Sequence, residues 1–238
     1  TLNSIVFGWY PYICVTVFLF GSLFRFDREQ YTWRTGSSQL LRRRQLTWGS
    51  NLFHIGILMI AGGHFVGLLT PIWIFDMLGV SHSFKQMLAI VVGGVAGLMC
   101  LVGISLLTHR RLFDPRIRAN SSFGDTAILL LLFAQLLLGL STIFVSLGHL
   151  DGHEMVKFMS WAQGIVTLQP NAASYVLDVH PIFKAHLVLG MTLFLVFPFT
   201  RLVHMWSAPV WYLGRRGYQI VRRRSGSEAS SPPVQPAE

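Results

Sequence analysis

Four histidines lie inside long apolar stretches of the chain, two to a stretch: His54 with His64, and His186 with His204. An imidazole in hydrocarbon costs free energy unless a partner satisfies it, so such a residue marks a candidate functional site. Neutral imidazole is the commonest metal ligand, and two helices carrying two each can hold two centres, each ligated from both sides. The natural occupant is a b-type haem, and two haems stacked in depth make an electron path across a membrane. A single buried histidine is more often a hydrogen-bonded core residue. Four in reciprocal pairs are hard to explain that way.

The elements that must carry these residues follow from composition. The chain is 52% hydrophobic and 12% charged, against roughly 25% charged in soluble domains. Uncharged stretches run from Thr1 to Phe24, Gln45 to Phe75, Gln86 to His109 and Thr126 to Leu150, with a shorter one from Ala185 to Thr200. A span needs about 20 mostly apolar residues. The expected fold is an all-α membrane protein, a bundle of five transmembrane helices. Their expected limits are Ile5–Phe24, Trp48–Leu69, Lys85–His109, Phe123–Gly148 and Pro181–Trp206, the last kinked at Pro198.

Charge orients the bundle. Arg25, Arg28, Arg34 and Arg42 to Arg44 lie between the first two spans. Arg110, Arg111, Arg116 and Arg118 follow the third, and Arg201 and Arg215 to Arg224 end or follow the fifth. The other side carries only Lys85, Lys157 and Lys184. Positive loops stay inside, so the N-terminus is expected outside and the C-terminus in the cytoplasm. The net charge of +9 then reports topology and lipid contact, and no nucleic-acid partner is expected. The first apolar run ends in arginines and reads as a first helix, not a cleaved signal. Residues 1–224 form the membrane domain, and residues 225–238, rich in Ser, Pro and Glu, a disordered cytoplasmic tail.

With that orientation, depth pairs His54 with His204 on the inner side and His64 with His186 on the outer. The spacings do not match on straight helices. Eighteen residues separate His186 from His204, ~27 Å along one face, whereas ten separate His54 from His64, ~15 Å and about 80° apart. Tilt and the Pro198 kink have to absorb the difference. His82, His149, His153, His180 and His109 sit at span ends or in loops and read as solvated.

Haem propionates need cations near the surface. Arg110, Arg111 and Arg201 are the candidates, with simple topology-setting charge as the competing explanation. Lys85 opens the third helix at the depth of His64 and His186. Its ammonium can hold a quinone oxygen, or it can snorkel to water. Gly56, Gly62, Gly63 and Gly67 either leave room for a flat macrocycle or pack helices, and the Gly93-to-Gly97 spacing invites a close backbone approach. The fourth helix, mostly leucine, reads as a packing or lipid-facing element, and Met155 to Val166 as an amphipathic interfacial piece. Cys14 and Cys100 read as core packing. The chain has no CxxCH motif for c-type haem and no cysteine cluster for iron–sulfur.

The chain resembles the gamma subunit of bacterial respiratory nitrate reductase, a di-haem cytochrome b membrane anchor. The likeness runs from about Tyr10 to Tyr212 and is carried by Gln30 to Arg34 (QYTWR), Ser50 to Ile57 (SNLFHIGI) and Gly63-His64-Phe65. Further matches are Arg110 to Pro115, Trp161-Ala162-Gln163, His186 to Phe199 (HLVLGMTLFLVFPF), Arg201-Leu202 and His204. The resemblance implies two haem b groups, on His54 with His204 and on His64 with His186. It implies oxidation of a quinol, menaquinol or ubiquinol, in a pocket at positions matched by Gly63, His64 and Lys85. It also implies an iron–sulfur beta subunit and a molybdenum-containing alpha subunit on the cytoplasmic face of a bacterial inner membrane. Two other readings stay open on the residues alone: the di-haem anchor of another quinone-linked dehydrogenase, and a haem-free transporter in which histidines relay protons.

Overall fold

A computed structural model describes residues 1–29, 31, 38 and 40–207. Most of the QYTWR run, the arginines beyond Arg201 and the expected tail lie outside the described residues. The described residues are helical without a strand. Five helices are long and apolar enough to cross a membrane: α1 (Leu2–Glu29), α2 (Arg43–Leu69), α4 (His82–Phe113), α6 (Phe123–Ser146) and a fifth segment, Pro181–Phe199. The chain is a multi-pass membrane protein. Short helices α3 (Ile72–Met77), α5 (Pro115–Ala119) and α7 (His153–Val166) link them.

Local chemistry sets the helix starts. The Ser81 hydroxyl accepts from Phe84 N–H before α4, and Ser122 with Asp125 forms a capping box before α6. Pro115 stands in the first turn of α5 behind Asp114, and Pro181 in the first turn of α8 (Pro181–Val196) behind His180. The first three spans are longer than expected because helical hydrogen bonding continues into the flanking polar residues, where side chains reach water.

The fifth span is shorter, a correction to the expected helix through Trp206. Alpha-helix ends at Val196, a 3-10 turn covers Phe197–Phe199, Thr200 is extended (φ −119°, ψ 177°) and a second 3-10 segment covers Arg201–Ser207. Proline 198 lacks an N–H and its ring crowds the preceding turn, so the helix breaks there rather than bending.

Helix α2 lies along α4, α4 on α6, α6 on α8, and α8 on α1. The α2–α4 seam is backbone to backbone: a Cβ on Gly56 would stand 2.7 Å from the Ala96 carbonyl, and one on Gly103 2.8 Å from that of Gly49. Glycine is what permits that approach. The close approach expected at Gly93 and Gly97 is divided. Gly93 faces open space, and Gly97 meets Leu140 of α6. Cys14 and Cys100 are buried and unpaired, Cys100 against Gly56.

A dense core closes the end of the bundle away from the arginines. Phe7 and Cys14 of α1, Trp161 and Ala162 of α7, Val176, and Phe183 and Met191 of α8 pack together. Helix α7 buries one face, Met159, Trp161, Ala162 and Gly164. Trp161 Nε1 donates to the Phe7 carbonyl at 2.9 Å, and Gln163 Nε2 donates to Leu68 and Thr70 at the end of α2, at 3.1 and 2.9 Å. That gives the Trp161-Ala162-Gln163 run a job: it fixes the ends of α1 and α2.

Candidate functional site: two facing histidine pairs

Helices α2 and α8 share no packed interface comparable with the other neighbours. Histidines face across from α2 instead, to α8 at His186 and to the following 3-10 segment at His204. The His54 and His204 ring centres are 6.3 Å apart, and those of His64 and His186 are 6.2 Å apart. A metal between two imidazoles needs about 2.0–2.1 Å to each nitrogen, which with about 1.1 Å from nitrogen to ring centre predicts roughly 6.2–6.4 Å. Both separations fall within the range that a metal between two imidazoles would need.

The other ring nitrogens support this. Nδ1 of His54 donates to the Ser50 carbonyl at 2.7 Å, Nδ1 of His64 to that of Ile60 at 2.8 Å, and Nδ1 of His204 to that of Arg201 at 2.6 Å. A carbonyl accepts only, so the proton resides on Nδ1 and the Nε2 lone pair is left for a metal. This is the usual arrangement behind a ligating imidazole. Gly62, Gly63 and Gly67 have nothing within 4 Å of a would-be Cβ, whereas Gly56 packs on α4. Three of the five α2 glycines therefore border open space, and Gly49 and Gly56 are packing residues against α4.

The spacing mismatch is settled by the break after Val196. His186 lies on α8, but His204 lies on the second 3-10 segment beyond extended Thr200. The His186-to-His204 path is no longer five turns of one helix, so it can meet the shorter, rotated interval on α2.

His186 is the exception among the ligand candidates. Its Nδ1 is buried without a partner. Gln135 of α6 donates from Nε2 to the His186 carbonyl at 3.1 Å and stands 3.5 Å from the ring, with its own Oε1 buried and unpaired. The ring rests on Gly139, where a Cβ would lie 3.0 Å from Cε1. Helix α6 packs on α4 and α8 as expected, and its Gln135 and Gly139 also border the His186 ring. The signal was present: one amide in a run of leucines must find a partner.

At the arginine-rich end the three cations differ. Arg110, 3% exposed, donates to Ser38 and to the Leu41 carbonyl and is committed to the loop before α2. Arg111 and Arg201 each approach Asp125 at 3.8 Å. Two guanidiniums on one carboxylate leave a positive charge in excess there. Asp114 takes Arg42 Nε at 2.7 Å and caps α5 through the N–H groups of Arg116 and Ile117.

Lys85 does not snorkel. It is 8% exposed, its Nζ lacks a hydrogen-bond partner, and it lies 4.2 Å from the centre of the Phe75 ring. A cation over an aromatic face is partly compensated. Its three N–H donors remain available to an oxygen.

Comparison with known proteins places this architecture. The sequence profile described as nitrate reductase gamma subunit matches residues 3–224. The respiratory nitrate reductase 1 gamma chain of Escherichia coli strain K12 is 52% identical over 223 residues, covering 94% of this chain and 98% of that protein. The reductase 2 gamma chain of the same organism is 51% identical over the same share of each. The nitrate reductase gamma chain of Bacillus subtilis strain 168 is 39% identical over 224 residues, 94% of this chain and 99% of that one. By profile and by near full-length identity, the chain belongs to the nitrate reductase gamma subunit family.

Proposed function

We propose that this chain is the cytochrome b subunit and membrane anchor of a respiratory quinol:nitrate oxidoreductase. It binds two b haems, one between His54 and His204 and one between His64 and His186. The observation that carries the reading is the pair of ring separations, 6.3 and 6.2 Å, between elements that share no large packed interface among the described residues. Bound haem supplies one-electron carriage between the two ends of the bundle.

The chain's own residues do the rest. The Nδ1 bonds of His54, His64 and His204 hold each ring in the tautomer that presents Nε2. Arg111 and Arg201 are the propionate partners, with Arg110, whose Nη1 and Nη2 hold the loop but whose Nε is unpaired, beside them. Lys85 donates to a quinol oxygen in a pocket bordered by Gly63 and His64, where open backbone at Gly63 leaves room for a flat ring. The arginine-rich end faces the bacterial cytoplasm and receives the iron–sulfur and molybdenum subunits, where nitrate is reduced. Electrons moving inward work against a membrane potential at about 2.3 kcal/mol per charge per 100 mV. Protons released from quinol outside complete the charge separation.

The test is haem content of the purified chain in detergent. Two haems per chain with sharp reduced bis-imidazole bands are expected, and a chain without haem absorption sinks the reading.

A further inference from the structure

The first helix contributes no histidine to either pair, and its arginines read in the sequence as topology-setting charge. In the structure Arg25 does something more specific. Its Nη1 donates to the Pro198 carbonyl at 2.6 Å and to the Thr200 carbonyl at 2.9 Å. These are the carbonyls at the break, where α8 has ended and the chain passes through extended Thr200 into the segment carrying His204. Broken backbone at membrane depth needs its polar groups satisfied, because lipid supplies no donors.

Two further contacts come from the same helix. Gly21, one turn before Arg25, meets Pro198 so closely that a Cβ would stand 2.8 Å from its Cγ and 2.9 Å from its Cβ. The Phe18 ring lies edge-on to Phe197 at 4.8 Å and tilted against Trp206 at 5.4 Å. Phe18, Gly21 and Arg25 are spaced at three and four residues, one face of a helix. That face grips the chain from Phe197 to Trp206. His204 lies within the gripped segment, its Nδ1 on the carbonyl of Arg201, the residue directly after Thr200.

We propose that Arg25 and Gly21 are positioning residues for His204: they hold the break after α8 in the one path that sets the His204 ring opposite His54. The proposal rests on reading that pair as axial ligands. The guanidinium matters because one nitrogen reaches two carbonyls at once. The glycine matters because any side chain there pushes Pro198 away.

The experiment compares wild type, Arg25→Gln, Arg25→Lys and Gly21→Ala in the full chain. Arg28→Gln is the control, removing an exposed arginine that pairs with its neighbour Asp27. Haem content, the redox titration and the low-temperature EPR signals of the two haems are recorded. Spin labels at exposed Leu23 and Met205 report the path of the segment independently of haem.

Arg25→Gln is expected to lose or shift only the haem of the His54–His204 pair, taking haem content from two towards one per chain, and to broaden the label distances. Arg25→Lys should fall between it and wild type. Gly21→Ala should shift the same signal, and Arg28→Gln should match wild type. If Arg25→Gln matches Arg28→Gln in haem signals and label distances, Arg25 is a topology charge and the proposal is wrong. Loss of both haems together with unfolding in Arg25→Gln and Arg25→Lys also overturns it, since the role is then general to the fold. A wild-type chain with no haem fails the parent reading instead, and the label distances still judge the clamp.

Discussion

Gln135 Nε2 donates to the His186 carbonyl at 3.1 Å, tying the middle of α6 to the fifth segment at the site of an imidazole. The same amide stands 3.5 Å from the His186 ring nitrogen, and Gly139 one turn on gives the ring its resting surface. The middle of a helix of leucines is thereby coupled to the His64–His186 pair.

Gln135→Leu should therefore alter the His64–His186 haem alone. One buried hydrogen bond of this kind is worth about 0.5–1.5 kcal/mol, so the variant should fold and carry two haems, with a changed midpoint potential for that haem only. Gly139→Val is harsher, because its side chain would occupy the space of the His186 ring. It should lose that haem and keep the other. Equal perturbation of both haems in either variant would contradict the coupling.

Replacing the histidines themselves tests the pairing. His54→Ala and His204→Ala should remove the same haem, and His64→Ala and His186→Ala the other, as read by haem quantitation and redox titration. Loss of one shared haem in His54→Ala and His64→Ala would show that the facing rings, 6.3 and 6.2 Å apart, do not mark two centres.

Lys85→Ala should slow quinol oxidation while both haems stay bound. A hydrogen bond from a charged group is worth roughly 1.5–3 kcal/mol, so haem reduction by quinol analogues should fall about tenfold to a hundredfold. Nitrate reduction driven by an artificial donor to the soluble subunits should be unchanged. Normal quinol turnover would leave the buried ammonium over Phe75 as a packing feature.

Asp114, outside the spans, predicts an acid limb to stability. Burial pushes its carboxyl up, but the Ile117 N–H, the Arg42 guanidinium and the Arg116 N–H outweigh that and hold it below its ordinary value of 3.8. A group depressed in the folded state contributes stability above its unfolded value and loses it as pH falls through the folded one. Unfolding in detergent should show that loss below about pH 4, and Asp114→Asn should lack this part of the slope. Identical acid limbs in the two proteins would remove Asp114 from the account.

Topology is open to direct measurement. A reporter fused near Gly152 should be active only outside the cell, and one fused after Leu213 only in the cytoplasm. The reverse result would invert the direction of electron flow proposed above.

The five apolar spans were legible because membrane crossing is a local property of some 20 consecutive residues. The four histidines stood out for a related reason: each is a polar group in an apolar run. Gln135 carried the same signal and was passed over, since one amide among leucines names no partner. The seam at Gly56 and Gly103 was hidden because glycine spacing on one helix does not say which neighbour approaches. The break at Pro198 was half visible. Proline forbids a continuous helix, but whether the chain kinks or unwinds depends on what receives the freed carbonyls, and Arg25 lies 173 and 175 residues away. The amino-acid sequence determined which groups had to be satisfied. Tertiary structure decided which distant residues satisfy them, because that choice is made only when the helices meet.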